Sequence, residues 1–378
     1  MNDQSRLARS QRRPGLLVVA FFLFVLPNLH AEVAVRVGPL IWGAQVRIET
    51  DISPDDYPRV LGGSLGAAFG STPYLRGTDG TPFRAGELSG GDIQTASTST
   101  FLGWNADISQ AILLNRRNEP VVSVFAGYWG RLDNRFDEQS ETTLFTADPE
   151  PDDVRGQLLN SLRAGLQLGR VRSVDDTPVL EGLDAELTFE WAPEQFLNTV
   201  FGNADFTRVS ARARGFVPVR SGGGRHETRQ TGVYAGAHVI GDYTRGSAVP
   251  ILVRSSFGGR FGRSGLAGTV RGYESGRFDS VAKAAAGAEL RIVGPQLGGA
   301  AFMPGLVLFT DAGYYSGFEG ADSPSDGESG WIASSGLGAS VTMFNAVTLV
   351  FYSSYVLADE LLTGGRLNPL SVGFGYHF

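Results

Sequence analysis

Leu370-Ser371-Val372-Gly373-Phe374-Gly375-Tyr376-His377-Phe378 closes the chain and alternates without a break. Leu370, Val372, Phe374, Tyr376 and Phe378 fall on one side; Ser371, Gly373, Gly375 and His377 fall on the other. A period of two is the signature of a strand with two unlike faces. The pattern recurs upstream. In 183–191, Leu183, Ala185, Leu187, Phe189 and Trp191 oppose Asp184, Glu186, Thr188 and Glu190. In the next segment Val209, Ala211 and Ala213 oppose Arg208, Ser210, Arg212 and Arg214. Acids on one strand and arginines on its neighbour would then face each other across an interior wall, as a charge belt of Asp184, Glu186 and Glu190 with Arg208, Arg212 and Arg214.

Alternation alone does not separate a membrane barrel from a soluble sandwich. Three features favour the barrel. Many alternating segments run to about 9–13 residues, enough to cross a bilayer at a tilt, whereas strands of soluble proteins average about 5–6. The polar face is charged on several segments, as a wet or plugged lumen allows. Aromatic residues gather near segment ends (Tyr128-Trp129, Tyr314-Tyr315, Trp331, Tyr376 and Phe378), as interfacial girdles require. The candidate strands lie near 34–48, 60–69, 98–113, 120–132, 158–170, 182–192, 206–217, 231–243, 249–260, 281–292, 305–316, 331–343, 346–357 and 369–378, and the Gly-, Pro- and Thr-rich stretch 50–100 leaves room for one or two more.

The N-terminus supplies an address. Arg6, Arg9, Arg12 and Arg13 precede the apolar run Leu16–Leu26, and Leu29-His30-Ala31 resembles a cleavage site. This is the layout of a secretory leader, with an apolar core too short for a membrane helix of roughly 20 residues. Residues 1–31 are therefore expected to be the signal peptide and 32–378 a single barrel domain. The composition agrees with export to a membrane rather than to solvent. Charged residues make up 19%, there is no cysteine, and the net charge of −7 argues against a nucleic-acid partner.

With a leader present, Ser371, Gly373, Tyr376 and Phe378 resemble the C-terminal targeting signal of outer-membrane barrels: a polar residue, a glycine two on, a hydrophobic residue three further, and an aromatic at the end. The order of motifs in 249–378 then resembles the bacterial surface-antigen barrels of the BamA, TamA and FhaC type. A candidate strand ends in Phe257-Gly-Gly-Arg-Phe-Gly. Val270-Arg271-Gly272-Tyr273 follows, matching that family's Val/Ile-Arg-Gly-Phe/Tyr loop tip. A strand with Glu289 comes next, and Phe309-Thr-Asp311-Ala-Gly313 matches its Phe-x-Asp-x-Gly strand. The resemblance implies an all-β fold: a transmembrane antiparallel up-and-down barrel of 16 strands, 14 of them visible here, in the outer membrane of a Gram-negative bacterium. It also implies a loop folded inward, its Arg271 gripping lumen carboxylates that by position would be Glu289 and Asp311. Relatives usually carry periplasmic POTRA domains before the barrel. Here strand-like sequence starts near Val33, so the expectation is a member without them, served by a periplasmic partner in their place.

Three function classes remain in view. The first is an assembly or translocation factor acting on proteins or lipids through a weak seam between first and last strands, where Gly373 and Gly375 weaken pairing. Its partners would be outer-membrane lipids and lipopolysaccharide, with the barrel assembly machinery inserting the chain itself. The second is a passive channel or structural barrel lined by Arg208, Arg212 and Arg214. The third is a lipid-modifying enzyme. Beyond the leader the histidines are His226, His238 and His377; no Gly-x-Ser-x-Gly elbow and no histidine/carboxylate cluster with metal spacing occurs. The expectation is a non-enzymatic protein with no cofactor and no metal.

Overall fold

Each alternating segment pairs with the next one along the chain. The computed structural model describes residues 29–37, 41–53, 57–71, 98–135, 156–173, 179–220, 231–261, 263–274, 277–278, 280–295, 297, 302–316, 329–343, 347–361 and 365–376. The strands are β1 (Leu29–Val37), β2 (Ile41–Asp51), β3 (Arg59–Ser71), β4 (Thr98–Leu114), β5 (Pro120–Arg135), β6 (Gly156–Ser173), β7 (Leu180–Ala192), β8 (Asp205–Arg220), β9 (Gly232–Ala248), β10 (Ala282–Val293), β11 (Phe302–Tyr315), β12 (Gly330–Met343), β13 (Val347–Ala358) and β14 (Leu367–Tyr376). They form one sheet in sequential order, every pair antiparallel, which makes an up-and-down barrel. The connections after odd-numbered strands collect at one rim, called here the loop rim. Those after even-numbered strands share the other rim with the two ends of the sheet.

Two expected strands are corrected. Residues 34–48 are not one strand but parts of β1 and β2, which pair from Val37↔Trp42 outward. Gly38-Pro39 lies between them, and proline cannot donate to a ladder. Residues 249–260 are not a strand. Pro250 caps a helical turn, α1 (Ile251–Arg254), and Gly259 has φ +133°, so the chain leaves the wall and turns inward. The described strands number 14, against the 16 that the resemblance implies. Residues 72–97, where more strands could be read, lie outside the described residues, as do 1–28, His226, His377 and Phe378. β1 begins at Leu29, inside the segment expected to be leader.

The polarity of the wall is inside-out. On β7, Leu183, Leu187, Phe189 and Trp191 are exposed while Asp184, Glu186, Thr188 and Glu190 are buried. A soluble sandwich would bury the first set. Here the outer face is apolar because hydrocarbon covers it, and hydrocarbon favours a barrel because it offers no partner to a free N–H or C=O. Exposed Tyr128, Trp191, Tyr243, Trp331 and Tyr355 all lie towards the loop rim, forming one aromatic girdle. The hydrophobic core sits in the lumen. Phe257, Leu266, Ala267, Val270, Tyr273 and Phe278 of the β9–β10 connection pack with Ile240, Ala285, Ile332 and Val356 of the wall.

Candidate functional site

The connection 249–281 enters the lumen and is fastened there in two places. The first fastening follows α1. Gly258 N–H donates to Asp242 Oδ2 at 2.9 Å, and Gly259 C=O accepts from Arg163 Nη1 at 3.2 Å. An added Cβ at Gly258 would lie 2.2 Å from Ser210 Oγ, so only a glycine lets the backbone reach the wall this closely. Arg260 N–H donates to Glu186 Oε1 (2.8 Å), and its guanidinium reaches Asp107 on β4, with Nε 3.1 Å from Oδ2. Arg263 Nη2 lies 2.7 Å from Glu186 Oε2.

These loop arginines complete the charge belt. Strand register sets Asp184 opposite Arg214, Glu186 opposite Arg212 and Glu190 opposite Arg208. Arg212 and Arg214 both bind Asp184, at 2.8 and 2.6 Å. Arg212 stands 4.0 Å from Glu186, whose nearer cation is Arg263 of the loop. Arg208 stands 3.9 Å from Glu190, which is held instead by Arg163 of β6 at 2.8 Å. The closer partner of Arg208 is Asp242 of β9, which Lys283 of β10 also approaches at 3.6 Å. The belt is thus wider than β7 and β8, running from β4 to β10.

The second fastening follows the helical turn α2 (Leu266–Thr269). Val270 is fully buried. Arg271 donates to Asp311 twice through its side chain, Nε to Oδ2 at 2.7 Å and Nη2 to Oδ1 at 2.9 Å, and again through its backbone N–H at 3.1 Å. Its Nη1 reaches Glu289 Oε2 at 3.2 Å, and the guanidinium lies over the Phe309 ring, 3.9 Å from the centroid. A planar fork with five donors suits this arrangement and an ammonium would not. Gly272 has φ +105°, and a Cβ there would meet Ser354 Oγ at 2.3 Å. Its carbonyl accepts from Asn368 Nδ2 of β14 at 3.0 Å, and the Arg271 carbonyl accepts from Ser334 Oγ of β12.

Tyr273 ends the tip at a flaw in the wall. The β12–β13 ladder shifts register between Ala333 and Ser334, leaving Leu357 without an opposite residue. The Tyr273 hydroxyl accepts from Ala333 N–H at 2.9 Å and donates to the Ala358 carbonyl, so it replaces a ladder bond that the bulge removes. Burial pushes this hydroxyl up to about 12, and like any tyrosine hydroxyl it is protonated and able to donate at physiological pH. Tyr273→Phe is expected to cost about 1–3 kcal/mol, the price of two unpaired backbone groups, and to speed hydrogen exchange at the Ala333 amide; unchanged exchange there would refute the bridge. Arg277 then ties the rising arm to the β13–β14 connection through Asp359 at 2.8 Å.

The structure therefore brings together Arg271, Glu289 and Asp311, and it sets Val270, Gly272 and Tyr273 against neighbouring strands. On β14, Ser371 and Gly373 pair with Tyr352 and Val350, and Tyr376 pairs with Val347. The sequence reading missed Arg260, Arg263, Asp107, Arg163, Asp242, Lys283 and Arg277. Asp242 could have been found, since it shares a face with His238 in an alternating segment. Arg260 and Arg263 could not, because their run was read as a strand end.

Residues 138–343 match the Omp85 superfamily domain model. The fold is similar to that of BamA from Haemophilus ducreyi lacking POTRA domains 1–3, at TM-score 0.55 and 14% identity over 89% of this chain. It is similar also to CdiB from Escherichia coli (TM-score 0.52, 13% identity, 88% of this chain) and CdiB from Acinetobacter baumannii (TM-score 0.50, 15% identity, 88% of this chain). The chain spans 62%, 52% and 50% of the length of those three. Comparison with curated protein sequences returns no match.

Proposed function

Because this chain belongs to the Omp85 superfamily and is an outer-membrane β-barrel of a Gram-negative bacterium, we propose that it serves outer-membrane assembly, or the translocation of proteins or lipids, with the inward loop as its working part. One observation carries this reading. The loop tip contacts the wall continuously from Glu289 on β10 to Asn368 on β14, so the state of the loop and the state of the terminal strand are coupled. In this reading Arg271, held by Glu289 and Asp311, locks the loop; outer-membrane lipids and a periplasmic partner supply and receive the cargo; and residues 1–31 are the exported leader. β14 is also locally weak. Its ladder to β13 shifts register around Pro369, which has no N–H to give.

The test uses the absence of cysteine in the chain. A cysteine pair joining β1 to β14 is expected to block rescue of a depletion strain, scored for barrel assembly and lipid asymmetry, and reduction is expected to restore it. Full rescue by the oxidised, locked protein would sink the proposal.

The charge belt favours one second reading, a passive channel. The two readings differ in planar bilayers. A loop-filled barrel should conduct weakly, and Arg260→Ala with Arg263→Ala, which frees the first fastening, should raise the conductance several-fold. A large, steady conductance of the unaltered protein would favour the channel.

A further inference from the structure

The β7–β8 connection, Pro193–Ala204, exposes Leu197, Val200 and Phe201, each more than half accessible, and carries a single charge, Glu194. Its backbone is nevertheless tightly held. β6 outruns β7 at the loop rim: the β6–β7 ladder ends at Leu162↔Trp191, whereas β6 starts at Gly156. The connection fills the vacated edge. Phe201 C=O accepts from Leu158 N–H at 2.8 Å. Asn198, fully buried, accepts from Asn160 N–H at 2.7 Å and donates to the Asn160 and Pro193 carbonyls at 3.0 and 2.9 Å. The Asn160 amide in turn donates to Phe196 C=O at 2.8 Å and accepts from the Tyr128 hydroxyl at 2.6 Å.

This clamp holds Leu197 at φ +64°, a conformation that a branched side chain adopts only when its surroundings impose it. On one side Ala204 of the connection, with Ala192 at the end of β7, packs in the Leu159, Phe206 and Val253 cluster. On the other side Leu197, Val200 and Phe201 are uncovered among the described residues, with Gln195, Thr199 and Asn203 beside them. This side continues the outer stripe of β7, since Phe196 meets the exposed Trp191 ring edge-on with centroids 5.5 Å apart.

A rim connection pinned to β6 through Phe201 C=O and Asn198, with one charge and a fixed apolar ridge, suits hydrocarbon better than water. We propose that Leu197, Val200 and Phe201 insert into the lipid leaflet at the loop rim, extending the acyl-facing wall beyond the aromatic girdle at β6–β8. The occupant is the leaflet because the ridge is continuous with the lipid-facing stripe of β7. The proposal rests on the membrane-barrel reading, and the experiment separates the two.

Cysteines placed singly at 197 and 201 in the otherwise cysteine-free full chain carry nitroxide labels in phospholipid vesicles. Leu187→Cys, on the outer face of β7, and Glu360→Cys, at the same rim, are the references. The ratio of collisions with oxygen to collisions with a water-soluble nickel chelate is expected to be at least about threefold higher at Leu197→Cys and Phe201→Cys than at Glu360→Cys. Nickel-dominated collision at both ridge sites, with oxygen dominating at Leu187→Cys, overturns the proposal while leaving the barrel intact. Nickel dominance at Leu187→Cys as well overturns the membrane reading itself. Protection from both reagents assigns the ridge to a protein partner and also overturns the proposal. Should Phe201→Cys fail to fold, Val200→Cys reads the same ridge.

Discussion

Arg271→Ala is expected to destabilise the folded barrel by about 3–5 kcal/mol and to lower the yield of heat-modifiable protein on gels. The Asp311 side chain is wholly buried and takes both side-chain donors of the fork, while Glu289 takes a third. Truncation leaves Asp311 with the Arg271 backbone N–H and little else to offset its charge. Most of the loss is thus the cost of an orphaned carboxylate rather than of missing contacts. Two companions test that account. Arg271→Lys restores the charge but cannot bridge two carboxylates 18 and 40 residues along the chain, so it should recover part of the loss. Adding Asp311→Asn to Arg271→Ala removes the orphaned charge and should recover more. If Arg271→Ala matches the unaltered protein in both urea midpoint and heat-modifiability, the lock is wrong.

The wall of this barrel was legible in the sequence because its two faces differ so sharply. Leu183 to Trp191 reads as a two-faced strand because Asp184, Glu186 and Glu190 alternate with its apolar residues, and strand length together with the charged face separates a membrane wall from a soluble sandwich. The neighbouring segment 249–260 misled for the same reason. Val249, Ile251, Val253 and Phe257 resemble a lipid face, yet all four are buried, Val249 and Val253 with Leu159 and Phe206 of the wall and Phe257 in the loop's own core. Periodicity reports that a residue is apolar, not whether hydrocarbon or protein covers it. The loop tip was read through motif and order alone. Its first fastening was not, because Gly258 and Gly259 act through backbone atoms that leave no pattern. The reach of Arg260 to Asp107, 153 residues away, belongs to closure of the fold rather than to any local spacing.

The belt holds a second and larger liability at Asp242. Its buried carboxylate binds Arg208 through Nε at 2.7 Å, lies 3.6 Å from Lys283 Nζ and accepts Gly258 N–H at 2.9 Å. Both cations are almost completely buried. Asp242→Ala would leave two positive charges facing each other across the removed carboxylate, with Glu190 at 3.9 Å from Arg208 and already held by Arg163. Arg208 keeps the Ser256 carbonyl and Lys283 the Ser280 carbonyl, but neither replaces a charge; losing the carboxylate partner of a buried pair costs about 3–5 kcal/mol, here for a carboxylate that serves two cations, and the loop's first backbone tie is lost with it. Asp242→Ala should therefore exceed Arg271→Ala in effect and yield little or no folded barrel in vesicles. Asp242→Asn keeps an oxygen for Arg208 and for Gly258 N–H but removes the charge, so its urea midpoint should fall between Asp242→Ala and the unaltered protein. Lys283→Met added to Asp242→Asn removes the surplus cation at nearly constant volume and should raise the midpoint again. Without that rescue, the damage would lie in shape rather than in charge. A wild-type midpoint for Asp242→Ala would mean that water reaches the belt and that the lumen is wetter than the packing of Phe257 over Lys283 implies.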